Sequence, residues 1–220
     1  MQLWKRCGEA GSNARLEAPL RGFLRRAVND VALHSRFLNM LSLLEHIGSR
    51  KIMLSQMRTG MDKEILKHMA EETRHAFFFK HQAERLAGEE LNDYETALCP
   101  AEARGYFGKL DAGITNMLQG ADARAPYLWV SFIVEIRAGW VYHAYQEALD
   151  EAKTGFSLKS VLAEEEMHLA EMQEALRGMG AMNDVLLARA CQLETALFEK
   201  LLTALIEASG DAAWKKSLMA

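Results

Sequence analysis

Proline, cysteine and long apolar runs are all scarce in this chain, and each scarcity excludes something. There are three cysteines in 220 residues. Cys7, Cys99 and Cys191 lie far apart with no Cys-x-x-Cys pair, so neither a disulfide framework nor a thiolate zinc site is expected, and the reducing cytoplasm is the expected location. No apolar run approaches the roughly 18 residues of a membrane-spanning helix. The opening stretch from Met1 to Glu9 lacks the apolar core of a secretory signal, so none is expected. A net charge of -4 gives no global case for a nucleic-acid partner. Residues 1–29 are locally basic, with Lys5, Arg6, Arg15, Arg21, Arg25 and Arg26, a pattern that reads as a solvated helix face.

What remains is apolar sequence that suits helices. Half of the residues are hydrophobic and three are proline, which fits one all-α domain over 1–220. A short helix is predicted over 16–27. A first long helix starts near Asn29-Asp30 and runs to about Arg58, with an inner stripe of Leu38, Leu41, Glu45, Gly48 and Ile52. Thr59-Gly60 breaks the pattern and Asp62 caps a second helix, which runs to about Ala87 with Ile65, Met69, Glu72, His75, Phe79 and Ala83 on its stripe. The midpoint of Glu45 and Glu72 falls at Arg58/Thr59, so an antiparallel hairpin brings the two glutamates level. Residues 88–125 are interrupted by glycine and proline, hold a short helix near 101–118, and are long enough to cross a bundle. A third long helix begins at Pro126 and carries Phe132, Glu135, Gly139, Tyr142 and Leu149; a fourth carries Val161, Glu165, His168, Met172 and Ala175. The midpoint of Glu135 and Glu165 is Asp150, whereas the strongest turn signal is Thr154-Gly155. Ideal helices meeting at that glycine leave the two residues about 10–15 Å out of level, so the third helix is expected to end early or the turn to be longer than its glycine suggests. C-terminal helices follow over about 183–219: one from Asn183-Asp184 to about Ala208, expected to pack on the bundle or on a second subunit, and a short one holding Trp214.

The charged residues on these inner stripes recur in a fixed order: Glu45, then Glu72-Thr73-Arg74-His75, then Glu135, then Glu165-Glu166-Met167-His168. Residues at i and i+3 share a helix face, so each Glu-x-x-His pair aims two ligands at one point. A buried carboxylate needs a cation or strong hydrogen bonds. Four carboxylates and two imidazoles on four helices make a site for two metal ions. With no thiolate in the set, iron or manganese suits it better than zinc.

This order resembles the ferritin-like di-iron carboxylate superfamily over about residues 30–177. The sequences Glu71-Glu72-Thr73-Arg74-His75 and Glu164-Glu165-Glu166-Met167-His168 are similar to the paired boxes of bacterial di-iron oxygenases and oxidases, with Met167 where that pattern often has arginine. The resemblance implies a four-helix bundle with one long crossover plus additional N- and C-terminal helices. It implies two iron ions, with manganese as the alternative, held by Glu45, Glu72, His75, Glu135, Glu165 and His168. Glu72 and Glu165 match the bridging carboxylates. Glu71 and Glu164 match outer acids that hydrogen-bond the histidines across the site, with Arg74 neutralising one of them. The implied activity is oxidation of an organic substrate with dioxygen, using electrons from an external reductase. The alternative is a ferroxidase or a peroxide-scavenging metal protein with no organic substrate. Because tRNA hydroxylases belong to the same group, a tRNA substrate stays open, as does a homodimer.

Several other residues carry two readings. Tyr142 is a redox tyrosine, a hydrogen-bond donor or plain core. His68, four residues before Glu72, is the best further candidate behind the ligands, whereas His34, His46, His81 and His143 have no ligand pattern. Glu171, one turn past His168, is a candidate extra ligand. Gly48, Ser49, Ala138, Gly139 and Phe77-Phe78-Phe79 either leave a channel beside the metals or pack closely.

Overall fold

Apolar stripes at helical spacing become seven helices, and there is no strand, among the residues that the computed structural model describes (13–59, 62–118 and 122–210). They are α1 Asn13–Val28, α2 Val31–Thr59, α3 Lys63–Ala87, α4 Pro100–Met117, α5 Ala125–Glu151, α6 Lys159–Gly178 and α7 Asp184–Ala208. The helix starts follow local chemistry. The Asp62 side chain accepts from the Ile65 amide at 2.8 Å, and Asn183 accepts from Val185 and Leu186 at 2.9 and 3.0 Å. Gly88, at φ 76°, ends α3 in the left-handed conformation that costs glycine least. The predicted C-terminal helix with Trp214, and Lys5, Arg6 and Cys7, lie outside the described residues.

Helices α2 and α3 run antiparallel. Ser42 donates to the Ala76 carbonyl at 2.8 Å and Lys80 donates to Asn39 at 3.0 Å, so position falls on one helix as it rises on the other. Helix α5 packs on α6, and contacts of α2 with α5 and of α3 with α6 complete the group. The connection after α3 is pinned to α2: Asn39 donates to Thr96 at 2.8 Å and the Leu98 amide donates to the Arg36 carbonyl at 2.9 Å. Helix α4 then packs against α7, α2 and α5. Fully buried Phe37, Phe79, Phe132, Trp129 and Tyr145 fill the interior.

The α5–α6 turn solves the level problem. Helix α5 ends at Glu151, before Gly155, and α6 starts only at Lys159. Gln146 Oε1 accepts from the Leu158 amide at 2.6 Å, so the chain has run back beside α5 by the time α6 begins. With Leu158 level with Gln146, Glu135 and Glu165 differ by about four residues of rise, or about 6 Å, which side chains can span.

Three arginines of the basic N-terminal region make ion pairs. Arg15 meets Glu199 of α7, Arg21 meets Glu147 and Arg25 meets Glu151, both of α5. A buried polar group that the helical pattern did not reveal ties α5 to α7: Arg137 donates to both oxygens of Glu194, at 2.8 and 2.5 Å, and Tyr106 donates to the same carboxylate at 2.9 Å. Helix α7 packs on α4, α1 and α5, which settles its expected docking on the rest of the chain. Cys99 is a free thiol but Cys191 is disulfide-bonded, so the scattered cysteines are not all reduced as their spacing suggests. Among the described residues, no helix is long and apolar enough to cross a membrane.

Candidate metal centre

All six predicted ligands are buried and converge. Glu45 comes from α2, Glu72 and His75 from α3, Glu135 from α5, and Glu165 and His168 from α6. Their donor atoms form two overlapping groups, each within 4.8 Å: Glu45, Glu72, His75 and Glu165, and then Glu72, Glu135 and His168 together with His68. Glu72 belongs to both groups. Glu165 lies between the two imidazoles, 3.1 Å from the Nδ1 of His75 and 3.1 Å from that of His168. Three buried atoms that face this space have no hydrogen-bond partner: Glu72 Oε1, His75 Nδ1 and His68 Nε2. Orphaned polar atoms in a protein interior are rare and ask for a partner. A divalent cation is a partner that suits a carboxylate oxygen and imidazole lone pairs together, so the residues present fit metal ions.

Outside the ligands, the two histidines are held crosswise between α3 and α6. His75 Nε2 lies 2.7 Å from Glu164, and His168 Nε2 lies 2.9 Å from Glu71. Arg74 donates to Glu164. Each imidazole thereby gives its Nε2 proton outward and presents Nδ1 to the centre, which fixes the tautomer and raises its basicity. Burial pushes the Glu164 carboxyl up, but hydrogen bonds from Arg74 and His75 outweigh it and hold it below the ordinary range. Replacing Glu71 or Glu164 by glutamine is expected to leave the fold intact and weaken metal binding by roughly 10–100-fold. An anaerobic iron titration measures this, and a change below threefold for both variants would show that these acids do not support the ligands.

The central carboxylates do not behave alike. Burial, followed by the charges of Glu72 and Glu165, raises the pKa of Glu45 well above its ordinary value. Burial, followed by Glu165 and Glu72, does the same to Glu135. Burial also pushes Glu165 up, but its interactions with His168, His75 and Glu135 outweigh it and hold that carboxyl well below the ordinary range. Glu165 is therefore shifted in the opposite direction to Glu45 and Glu135. His75 is raised to about 10, because its interactions with Glu165, Glu45 and Glu72 outweigh burial.

These shifts set a sign for the metal-free chain. Glu45, Glu135 and His75 hold protons more tightly when folded, so their stabilisation is complete at low pH and is lost as pH rises through the raised values. Glu165 acts oppositely, and its stabilisation is lost only as pH falls below the ordinary carboxylate range of about 4. The metal-free melting temperature is therefore expected to fall between about pH 5 and 9. Manganese(II), which replaces those protons, is expected to raise it more at pH 8.5 than at 5.5. Thermal melts with chelator or metal check this, and a melting temperature that ignores both pH and metal would show that the ligands are not assembled in the fold.

A cavity of about 850 Å³ reaches the centre, lined by Glu45, Glu72 and Glu135 at one side and by Leu41, Leu44, Val130, Val134, Ala138 and Val141 along its walls. Half-exposed Lys51 and Asp111, an ion pair, and exposed Leu54 also line it. Gly48 opens it beside Glu72: a Cβ there would stand 3.4 Å from Glu72 Oε2.

Other expectations move. The Phe77–Phe79 run does not line this cavity; Phe77 is exposed, Phe78 stacks on Phe156, and Phe79 is core. Gly139 is also off the wall, and its neighbour Ala138 is on it. Ser49 bonds the His46 carbonyl. Glu171 is exposed and pairs with Lys67 at 2.9 Å, so it does not enter the centre. Tyr142 is buried and donates to Glu45, the donor role among its readings. His34 is buried against Tyr145, away from the ligands, and burial lowers it to about 4. His68 stands among the ligands rather than behind them, and its spacing, one turn before Glu72 on the same stripe, was the signal for it. Comparison with family models, with curated proteins and with solved structures yields no match for this chain.

Proposed function

We propose that the chain is a ferritin-like di-iron oxidoreductase that uses dioxygen to oxidise an apolar organic substrate, with electrons from a separate reductase. The observation that carries this reading is the apolar cavity ending on Glu45, Glu72 and Glu135. Two iron ions, or manganese in their place, would be held by Glu45, Glu72, His75, Glu135, Glu165 and His168. When bound, they supply dioxygen activation, which no side chain in the cavity provides alone.

The protein's own residues do the rest. Glu72 and Glu165, each close to both ligand histidines, would serve both metal positions. Glu164 and Glu71 hold the Nε2 protons of His75 and His168, and Arg74 keeps Glu164 ionised. The Tyr142 hydroxyl fixes the carboxylate of Glu45. Val134, Ala138 and Val141 exclude water and orient an apolar substrate against the carboxylates.

A ferroxidase or peroxide scavenger calls for a polar path for ions, and the mostly apolar lining favours the organic oxidation instead. A tRNA substrate calls for free positive charge, and the two cations among the described residues lining the cavity are paired, Lys51 with Asp111 and Arg137 with Glu194. The test is dioxygen uptake by the iron-loaded protein with a chemical reductant and a panel of apolar alcohols, aldehydes, amines and arenes. The expected result is uptake matched by an oxidised organic product. Iron deposition as mineral, or peroxide consumption with no organic product across the panel, would overturn the reading.

A further inference from the structure

We propose that His68 is a seventh metal ligand, bound through Nε2 in the Glu135–His168 half of the centre, with Tyr127 as the residue that aims it. The proposal rests on the two-metal reading above, and its test separates the failure of one from the failure of the other.

Position comes first. His68, Glu72 and His75 stand at i, i+4 and i+7 on α3 and so form one stripe facing the centre. His68 is 6% exposed, as buried as the predicted ligands beside it. Its two nitrogens are in different situations. Nδ1 lies 2.8 Å from the Tyr127 hydroxyl at the start of α5. Nδ1–H can donate to the phenol oxygen, leaving the Nε2 lone pair free. This arrangement mirrors His75 and His168, whose outer nitrogens are engaged by Glu164 and Glu71.

Nε2 is buried with no hydrogen-bond partner. It stands 3.3 Å from Glu72 Oε1 and 3.6 Å from Glu135 Oε1. A six-coordinate divalent ion with bonds of about 2.1 Å holds neighbouring donors about 3.0 Å apart and opposite donors about 4.2 Å apart. The His68 nitrogen therefore lies at the spacing of a ligand, in one group with Glu72, Glu135 and His168. The His68 and His168 rings are 4.4 Å apart at 54°, so the two imidazoles converge on the same space. The competing arrangement has Nε2–H donating to Glu72 and Nδ1 accepting from Tyr127; His68 would then organise a carboxylate without touching metal.

The consequence is an uneven centre, with two imidazoles in one half and one, His75, in the other. Anaerobic titration of the full chain with manganese(II) tests it, using wild type, His68→Ala, His68→Gln and Tyr127→Phe, with circular dichroism to confirm folding. The expected result is that His68→Ala and His68→Gln keep one ion at near wild-type affinity while the other weakens by at least about tenfold. Tyr127→Phe is expected to weaken the same ion to a smaller extent, and free imidazole is expected to restore it partly in His68→Ala. Cobalt(II)-loaded wild type gives a readout that needs no variant: three paramagnetically shifted, exchangeable imidazole N–H signals are expected. If wild type binds two ions, His68→Ala binds both within threefold, and cobalt reveals two such signals, the inference is overturned and the two-metal reading stands. If wild type itself binds fewer than two ions, the two-metal reading fails and takes the inference with it.

Discussion

Glu72→Ala is expected to abolish tight binding at both metal positions, not at one. Its carboxylate is the one shared by both donor groups, and its Oε1 lies 3.5 Å from His168 Nδ1, 3.3 Å from His68 Nε2 and 4.0 Å from His75 Nδ1. Glu45 and Glu135 each belong to a single group, so Glu45→Ala or Glu135→Ala is expected to weaken one ion and spare the other. For Glu72→Ala the loss of affinity at each position is expected to exceed the roughly 10–100-fold typical of removing a residue that only supports a ligand. Anaerobic iron titration with elemental analysis measures it. One tight ion surviving in Glu72→Ala would mean that the carboxylate serves a single metal.

Ala138→Leu is expected to cut the oxidation of an organic substrate by about 100-fold while leaving metal affinity within about threefold. Ala138 lines the cavity one turn from Glu135, and a leucine there takes space that the substrate needs next to the carboxylates. A displacement of about 1 Å from the productive position costs on the order of 100-fold. Gly139→Leu is the contrasting variant: that residue is off the cavity wall, with nothing within 4 Å of its added Cβ. It is expected to turn over normally. Equal turnover by wild type and Ala138→Leu would remove the cavity from the reaction.

Much of the centre was legible in the sequence because each ligand occupies a position where the helical stripe calls for an apolar residue. Glu45 interrupts the run of Leu38, Leu41 and Ile52, and its level with Glu72 follows from simple counting about a short turn. The α5–α6 turn resisted counting because its path depends on one side chain, Gln146, which captures the Leu158 amide. Of the residues with both a channel and a packing reading, Gly48 and Ala138 line the cavity, whereas Gly139 and the Phe77–Phe79 run do not. Neighbouring helical positions differ by about 100° around the axis, so a small rotation of α5 decides whether residue 138 or 139 faces the space. The Arg137–Glu194 pair was hidden for another reason. Each residue alone reads as a solvent-facing charge, and only the packing of α7 on α5 shows that they neutralise each other inside. Glu165 departs from its crowded neighbours because two imidazoles meet it directly, an arrangement across α3 and α6 that spacing along one helix does not contain.

The central claim is that four helices deliver a site for two metal ions. The most direct measurement is the metal content of the full chain after anaerobic loading with iron(II) and removal of loose metal, followed by a crystal structure of the loaded protein. The account predicts two iron ions per chain, roughly 3.5–4 Å apart, with Glu72 and Glu165 between them. One ion, none, or two ions bound away from these residues would contradict it.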